Sequence, residues 1–153
     1  MSSPLLSVRG LKIGATVYPP DAKPHDIKIV HGVDFDVEAG KVLGLIGESG
    51  AGKSTIGLAT MAYGRGGVKL TGGTVFVNSR DVLLSDRRDV RNLRGAEVTY
   101  VSQSAAASFN PAKRIMEQVI EAAVSQSKFS KNDAQARAVE LFRKLDLPEP
   151  ETI

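Results

Sequence analysis

Apolar and polar positions change rhythm several times along the chain, and each rhythm predicts an element. Residues 5–13, LLSVRGLKI, alternate well enough for a strand. Residues 14–27 hold three prolines and read as a loop. Alternation resumes over 28–37, where Val33, Phe35 and Val37 point one way and Asp34 and Asp36 the other. Residues 41–46, KVLGLI, are apolar without alternation, as expected of a parallel strand covered on both faces. Residues 53–63 read as a helix carrying Ile56, Leu58, Ala59 and Met61, ended by the run GRGG at 64–67. A strand over 72–77, a short helix over 86–93 and a strand over 97–102 follow. From residue 112 the period becomes helical, with Ile115, Met116, Val119, Ile120 and Ala123 on one face. Ser130 with Asp133 predicts the start of a second helix, with Ala134, Ala138, Leu141, Phe142 and Leu145 as its stripe. Pro148 and Pro150 close it. The order is that of an α/β fold.

Composition narrows the chemistry. Apolar residues make up 42% of the 153, enough for a core. The net charge is only +3, neither half is a basic arm, and aromatics are 5%, so nucleic acid is not an expected partner. With no cysteine and two histidines, His25 and His31, thiol chemistry and cysteine- or histidine-rich metal sites are excluded. No apolar run reaches the ~18 residues of a membrane span, and the first ten residues do not read as a signal peptide.

The decisive pattern is Gly47-Glu48-Ser49-Gly50-Ala51-Gly52-Lys53-Ser54, which fits G-x-x-x-x-G-K-[ST]. Glycines allow a tight wrap in which backbone N–H groups face phosphate oxygens. The helix that follows adds its N-terminal partial charge. Lys53 supplies a mobile point charge for the β- and γ-phosphates, and the Ser54 hydroxyl suits Mg²⁺. The expected nucleotide-binding stretch runs from Gly47 to Thr55. Glu48 is a permissive loop position, not a catalytic base. The pattern demands a strand before the loop and a helix after it.

GESGAGKST, then GGTVFVNSRDV, then VTYVSQSAAASFNP, occur in an order that resembles the ATP-binding subunits of ABC transporters, specifically the dipeptide/oligopeptide (nickel-type) importers. The resemblance runs from about residue 5 to the end. It implies an ABC-type P-loop nucleotide-binding domain: an antiparallel β subdomain and nucleotide-binding core over 1–111, and the start of a helical subdomain over 112–153. By that resemblance GESGAGKST is the Walker A motif. Gln103 is the Q-loop glutamine, a ligand of Mg²⁺ and the attacking water and a hinge to the helical subdomain. Ser108-Phe109-Asn110-Pro111 is similar to the S-L-N-P stretch of the peptide importers. The catalytic pair implied is Lys53 and Gln103, and the metal pair Ser54 and Gln103.

Two departures stand out. The family's adenine-stacking aromatic falls on Ala15, which leaves Tyr18 as the nearest candidate, with Val30 able to touch the base from the second strand. The segment around Gln103 also lacks the usual F-Q-D-P form. These 153 residues contain no LSGGQ-like signature motif, no Walker B Asp-Glu pair and no histidine beyond the phosphate loop.

The resemblance implies ATP and Mg²⁺ as cofactors, membrane permease subunits and a second ATP-binding subunit as partners, and a peripheral place on the cytoplasmic face of the inner membrane. The complete protein would hydrolyse ATP to import peptides or a related small solute; the 153 residues alone are expected to show no turnover. Two alternatives stay open: a small P-loop kinase, and a non-enzymatic nucleotide-binding remnant with uncovered strand edges. Arg87, Arg91 and Arg94 are expected on one solvated helical face, and Ile115, Met116, Val119 and Val124 as core or as a docking groove.

Overall fold

The computed structural model describes residues 3–64, 66–104, 108–126 and 129–153, in two compact units, Met1–Arg91 and Asn92–Ile153. Arg65 of the GRGG run and Ala105, Ala106 and Ala107 of the segment after Gln103 lie outside the described residues.

The first unit is built on one antiparallel sheet in the order β2-β1-β3-β4. Its strands are β1 (Leu6–Val17), β2 (His25–Val37), β3 (Val68–Val77) and β4 (Arg80–Asp81). Val8, Leu11, Ile13 and Val75 are fully buried. Val8 and Leu11 are three residues apart, so strict alternation would place them on opposite faces. Gly10, at φ 55, sits where the β1–β2 register shifts, and the extra residue returns Leu11 to the core side. The bulge is pinned from β2: Asp34 Oδ1 accepts from Gly10 N at 2.8 Å, and Arg9 pairs with Asp36 at 2.6 Å. The Arg9 hydrogen bond, helped by Ser7, holds the Asp36 carboxyl below the usual range. Gly73, at φ 91, faces the same bulge, and a Cβ there would stand 2.5 Å from Gly10 O.

The hairpin is longer than its prolines suggest. Gly14 pairs with Lys28 and Val17 with His25, so the expected loop over 14–27 shrinks to residues 18–24. β3 likewise starts at Val68 rather than 72, because β1 continues alongside it to Ala15↔Val68. A two-residue turn with Asn78 and Ser79 at positive φ joins β3 to β4.

Helix α1 (Lys53–Ala59) is shorter than the expected 53–63. Ala62 turns left-handed at φ 52, and Tyr63 N donates to Leu58 O at 3.1 Å, closing the last turn before the glycines are reached. Helix α2 (Arg87–Leu93) starts where Asp86 Oδ1 accepts from Arg88 N and Asp89 N, both at 2.8 Å. It stops before Arg94, so the three arginines expected on one helical face do not share a helix.

Two expected strands do not form. Residues 41–46 carry no ladder, and Val42 and Ile46 are each 98% exposed. Residues 97–102 contain only an isolated bridge, Arg94↔Val98, and Val101 is 90% exposed. The physical reason is shared. A non-alternating apolar strand is stable between hydrogen-bonded neighbours and under cover on both faces, and no such neighbours pair with either segment among the described residues. The sheet that does form is wholly antiparallel.

The second unit centres on α3 (Ile115–Ser125) and α4 (Lys131–Lys144). Met116, Ile120, Ala134, Ala138 and Phe142 form its core. The Ser130 cap is as expected, accepting from Asp133 N at 3.2 Å and donating to Asp133 Oδ2 at 2.6 Å. Leu141 and Leu145, expected in the α4 stripe, are exposed instead. The helix ends at a left-handed Asp146 (φ 53), where Leu147 N donates to Phe142 O at 3.1 Å, ahead of either proline.

Candidate functional site

The phosphate loop lies in the first unit, between the 41–46 segment and α1. Its fold follows from its glycines. Gly50 (φ 84) and Gly52 (φ 87) take left-handed conformations that side chains rarely adopt. Between them the loop closes on itself, Ala51 N donating to Glu48 O at 3.2 Å. Gly52 is the N-cap of α1 and has no side chain with which to cap it. Its carbonyl accepts from Ile56 N at 2.8 Å, so the helix grows directly out of the loop.

Gly52 is also where the loop meets the sheet. It is buried, and a Cβ there would stand 3.2 Å from Val30 Cγ2 and 3.3 Å from Ile29 Cγ2. Val30, 5% exposed, thus forms part of the floor beneath the loop. Ile29 shares that role and was not a sequence candidate. The signal for it was weak, since it belongs to an ordinary apolar run.

Lys53 reaches back over the loop. Its Nζ donates to Gly47 O at 2.7 Å and to Glu48 O at 2.6 Å. Both partners are neutral carbonyls, so they orient the ammonium without cancelling its charge. Ser54 is exposed in the first helical turn, and Thr55 is half-buried beside it. First-turn N–H groups have no intrahelical acceptor, and neither a side-chain cap nor an acidic residue occupies that turn of α1. An ammonium on the first residue of α1, in the same turn as N–H groups without intrahelical acceptors, suits an anion with several oxygens.

The other candidates lie elsewhere. Tyr18 is 75% exposed in the loop joining β1 to β2. Ala15 pairs with Ile27 and Val68 in the sheet and is half-buried. His25 and His31 are exposed positions of β2. Gln103 belongs to the second unit and is exposed. Close by, Ser108 Oγ donates to Ser104 O at 2.8 Å. Among the described residues no group of His, Asp or Glu is arranged to hold a metal ion. No helix there is long and apolar enough to cross a membrane.

The sequence GESGAGKST, folded as a glycine loop from which α1 grows directly, fits the P-loop pattern, although the strand that pattern demands over 41–46 does not form among the described residues. The ABC transporter family model matches residues 30–152, and the chain belongs to that family. It is 34% identical over 152 residues to the oligopeptide transport ATP-binding protein AppD of Bacillus subtilis (strain 168), covering 99% of this chain and 45% of that protein. It is 30% identical over 145 residues to the oligopeptide transport ATP-binding protein OppD of Escherichia coli (strain K12), covering 95% and 41%. With the dipeptide transport ATP-binding protein DppD of Lactococcus lactis subsp. cremoris (strain MG1363), identity is 30% over 148 residues, covering 96% and 41%. The chain thus spans less than half the length of these relatives. Among solved structures it is similar in fold to the ATP-binding cassette MJ0796, described as a dimeric post-hydrolysis state bound to ADP and Pi. The TM-score is 0.70 at 18% identity, over 94% of this chain and 58% of that one. These likenesses favour the transporter reading over the small kinase.

Proposed function

We propose that this chain supplies the phosphate-binding part of an ATP-binding subunit that drives import of peptides or a related small solute through membrane permease subunits. The observation that carries the reading is the Lys53 ammonium held over the loop by the Gly47 and Glu48 carbonyls. In the complex, the N–H groups of residues 47–55 receive phosphate oxygens, and Lys53 turns its charge to the β- and γ-phosphates. Ser54 would hold Mg²⁺ through its hydroxyl, and Gln103 is proposed, on the family resemblance, as a ligand that would add no charge. The metal would supply charge neutralisation to the phosphates. Tyr18 is the residue proposed to stack on adenine, and Val30 to meet it from the second strand. The division proposed is a β subdomain and nucleotide core over 1–111 and a helical subdomain from 112, which docks on the permease. The working unit pairs two such subunits, peripherally on the cytoplasmic face of the inner membrane.

The relatives' names support the peptide reading, since AppD, OppD and DppD are all transport ATP-binding proteins for peptides. In this reading these residues supply positioning and part of the metal site, and none of them is assigned the role of base. A missing general base costs ~10²–10⁴ in rate. Isothermal calorimetry with MgATP tests the loop. Lys53→Ala is expected to weaken binding by about a hundredfold, in line with the loss of charge-assisted hydrogen bonds. Unchanged affinity would remove Lys53 from the site. Purified residues 1–153 are expected to release phosphate no faster than a protein-free control, and robust turnover would contradict the assignment of roles.

A further inference from the structure

In the second unit one side chain makes an unusual number of backbone contacts. The Gln118 amide reaches back from the first turns of α3 to the segment before it. Its Oε1 accepts from Asn110 N at 2.7 Å, and its Nε2 donates to Asn110 O at 3.1 Å. The same Nε2 lies 3.1 Å from Lys113 O and 3.4 Å from Arg114 O. A primary amide offers one carbonyl and two N–H donors, and here they go to four backbone groups on three residues, Asn110, Lys113 and Arg114. To Asn110 it presents the donor–acceptor pair that a neighbouring strand would present.

The turn is stiffened from within as well. Asn110 Oδ1 accepts from Ala112 N at 2.9 Å, and Asn110 O accepts from Lys113 N at 3.1 Å. Pro111 fixes its own φ and holds Asn110 away from the helical region. The far end of α3 is tied too, where Gln126 Nε2 donates to Arg94 O at 3.0 Å. Nothing in the α3 N-cap itself does this work: Arg114 is extended and makes no side-chain cap.

We infer that Gln118 is a positioning residue that fastens the Asn110–Arg114 turn to α3, so that residues 110–125 move as one rigid piece. Its functional meaning rests on the proposed function, in which Gln103 joins the nucleotide core to the helical subdomain: from Asn110 through α3 that subdomain responds as one body.

The test needs no nucleotide, so its failure is distinct from a failure of ATP binding at the loop. The chain has no cysteine, so spin labels at Ala112→Cys and Ala136→Cys, both exposed positions, report the turn against α4 without background. The parent is expected to give one narrow distance distribution. Gln118→Leu is expected to broaden it and to speed hydrogen exchange at the Asn110 amide about tenfold, the size of one lost hydrogen bond. The thermal midpoint separates this from unfolding. Identical distributions and exchange in parent and variant would overturn the inference. Should Gln118→Leu fold poorly, Gln118→Glu keeps the acceptor and loses both donors while its carboxyl is charged. Protonating that carboxyl restores one donor, so the distribution is expected to narrow at acid pH relative to the parent at the same pH. A pH-independent distribution would equally overturn it.

Discussion

β1 and the 41–46 segment both read as strands in the sequence, and they end in opposite places. β1 is hydrogen-bonded on both sides and fully buries Val8, Leu11 and Ile13. In KVLGLI, Val42 and Ile46 are almost wholly exposed. The difference is not hydrophobicity. β1 finds antiparallel neighbours within its own unit, one of them through a hairpin of seven connecting residues, 18–24. A parallel strand needs neighbours delivered by crossover connections, and needs them on both edges. Apolar sequence makes a strand possible; partners make it exist.

The contrast can be broken most sharply at the core. Leu11→Ala is expected to cost about 2–5 kcal/mol in urea unfolding, because it opens a cavity in a packed layer. Val42→Ala should cost under ~0.5 kcal/mol, as for an exposed site. Equal losses would mean that 41–46 is buried in solution. A smaller effect is expected at the α4 cap, where Ser130→Ala removes the acceptor for Asp133 N and should cost about 1 kcal/mol. Circular dichroism melts measure it, and no loss would show that the cap is dispensable.

The smallest effect concerns exposed charge. Glu140 is held below the usual carboxylate range, first by Lys144 at 2.8 Å and then by Arg137. A depressed carboxylate stabilises the fold above its unfolded pKa and loses that contribution as pH falls through the folded value. Lys144→Met should therefore raise the Glu140 midpoint in an NMR titration toward the ordinary range. Neutral-pH stability should barely move, since the pair is solvent-screened. An unshifted midpoint would place the cause elsewhere.

These contrasts also show where sequence was readable. The glycine turns of the loop and the start of α1 at Lys53 were legible because they are local, whereas the strand expected before the loop was not. The Ser130–Asp133 cap was legible for the same reason, but only part of each helical stripe was: Met116, Ile120, Ala134, Ala138 and Phe142 are buried, while Ile115, Val119, Leu141 and Leu145 are exposed. The β1 bulge was not, because Gly10 gains its role only when Asp34 and Arg9–Asp36 close on it from across the sheet. Gln118 was passed over because a glutamine on a helix usually faces water. Its importance depends on where Asn110 folds back.

By itself, then, the sequence determined the G-x-x-x-x-G-K-S motif, the family and the Ser130 cap, all set by side-chain identity. Tertiary structure decided which apolar runs became strands, how far the β1–β2 hairpin extended and which glutamine fastens the turn before α3. Each of those depends on a hydrogen-bonding partner far along the chain, and the energy of a ladder or a clamp exists only once both halves are in place.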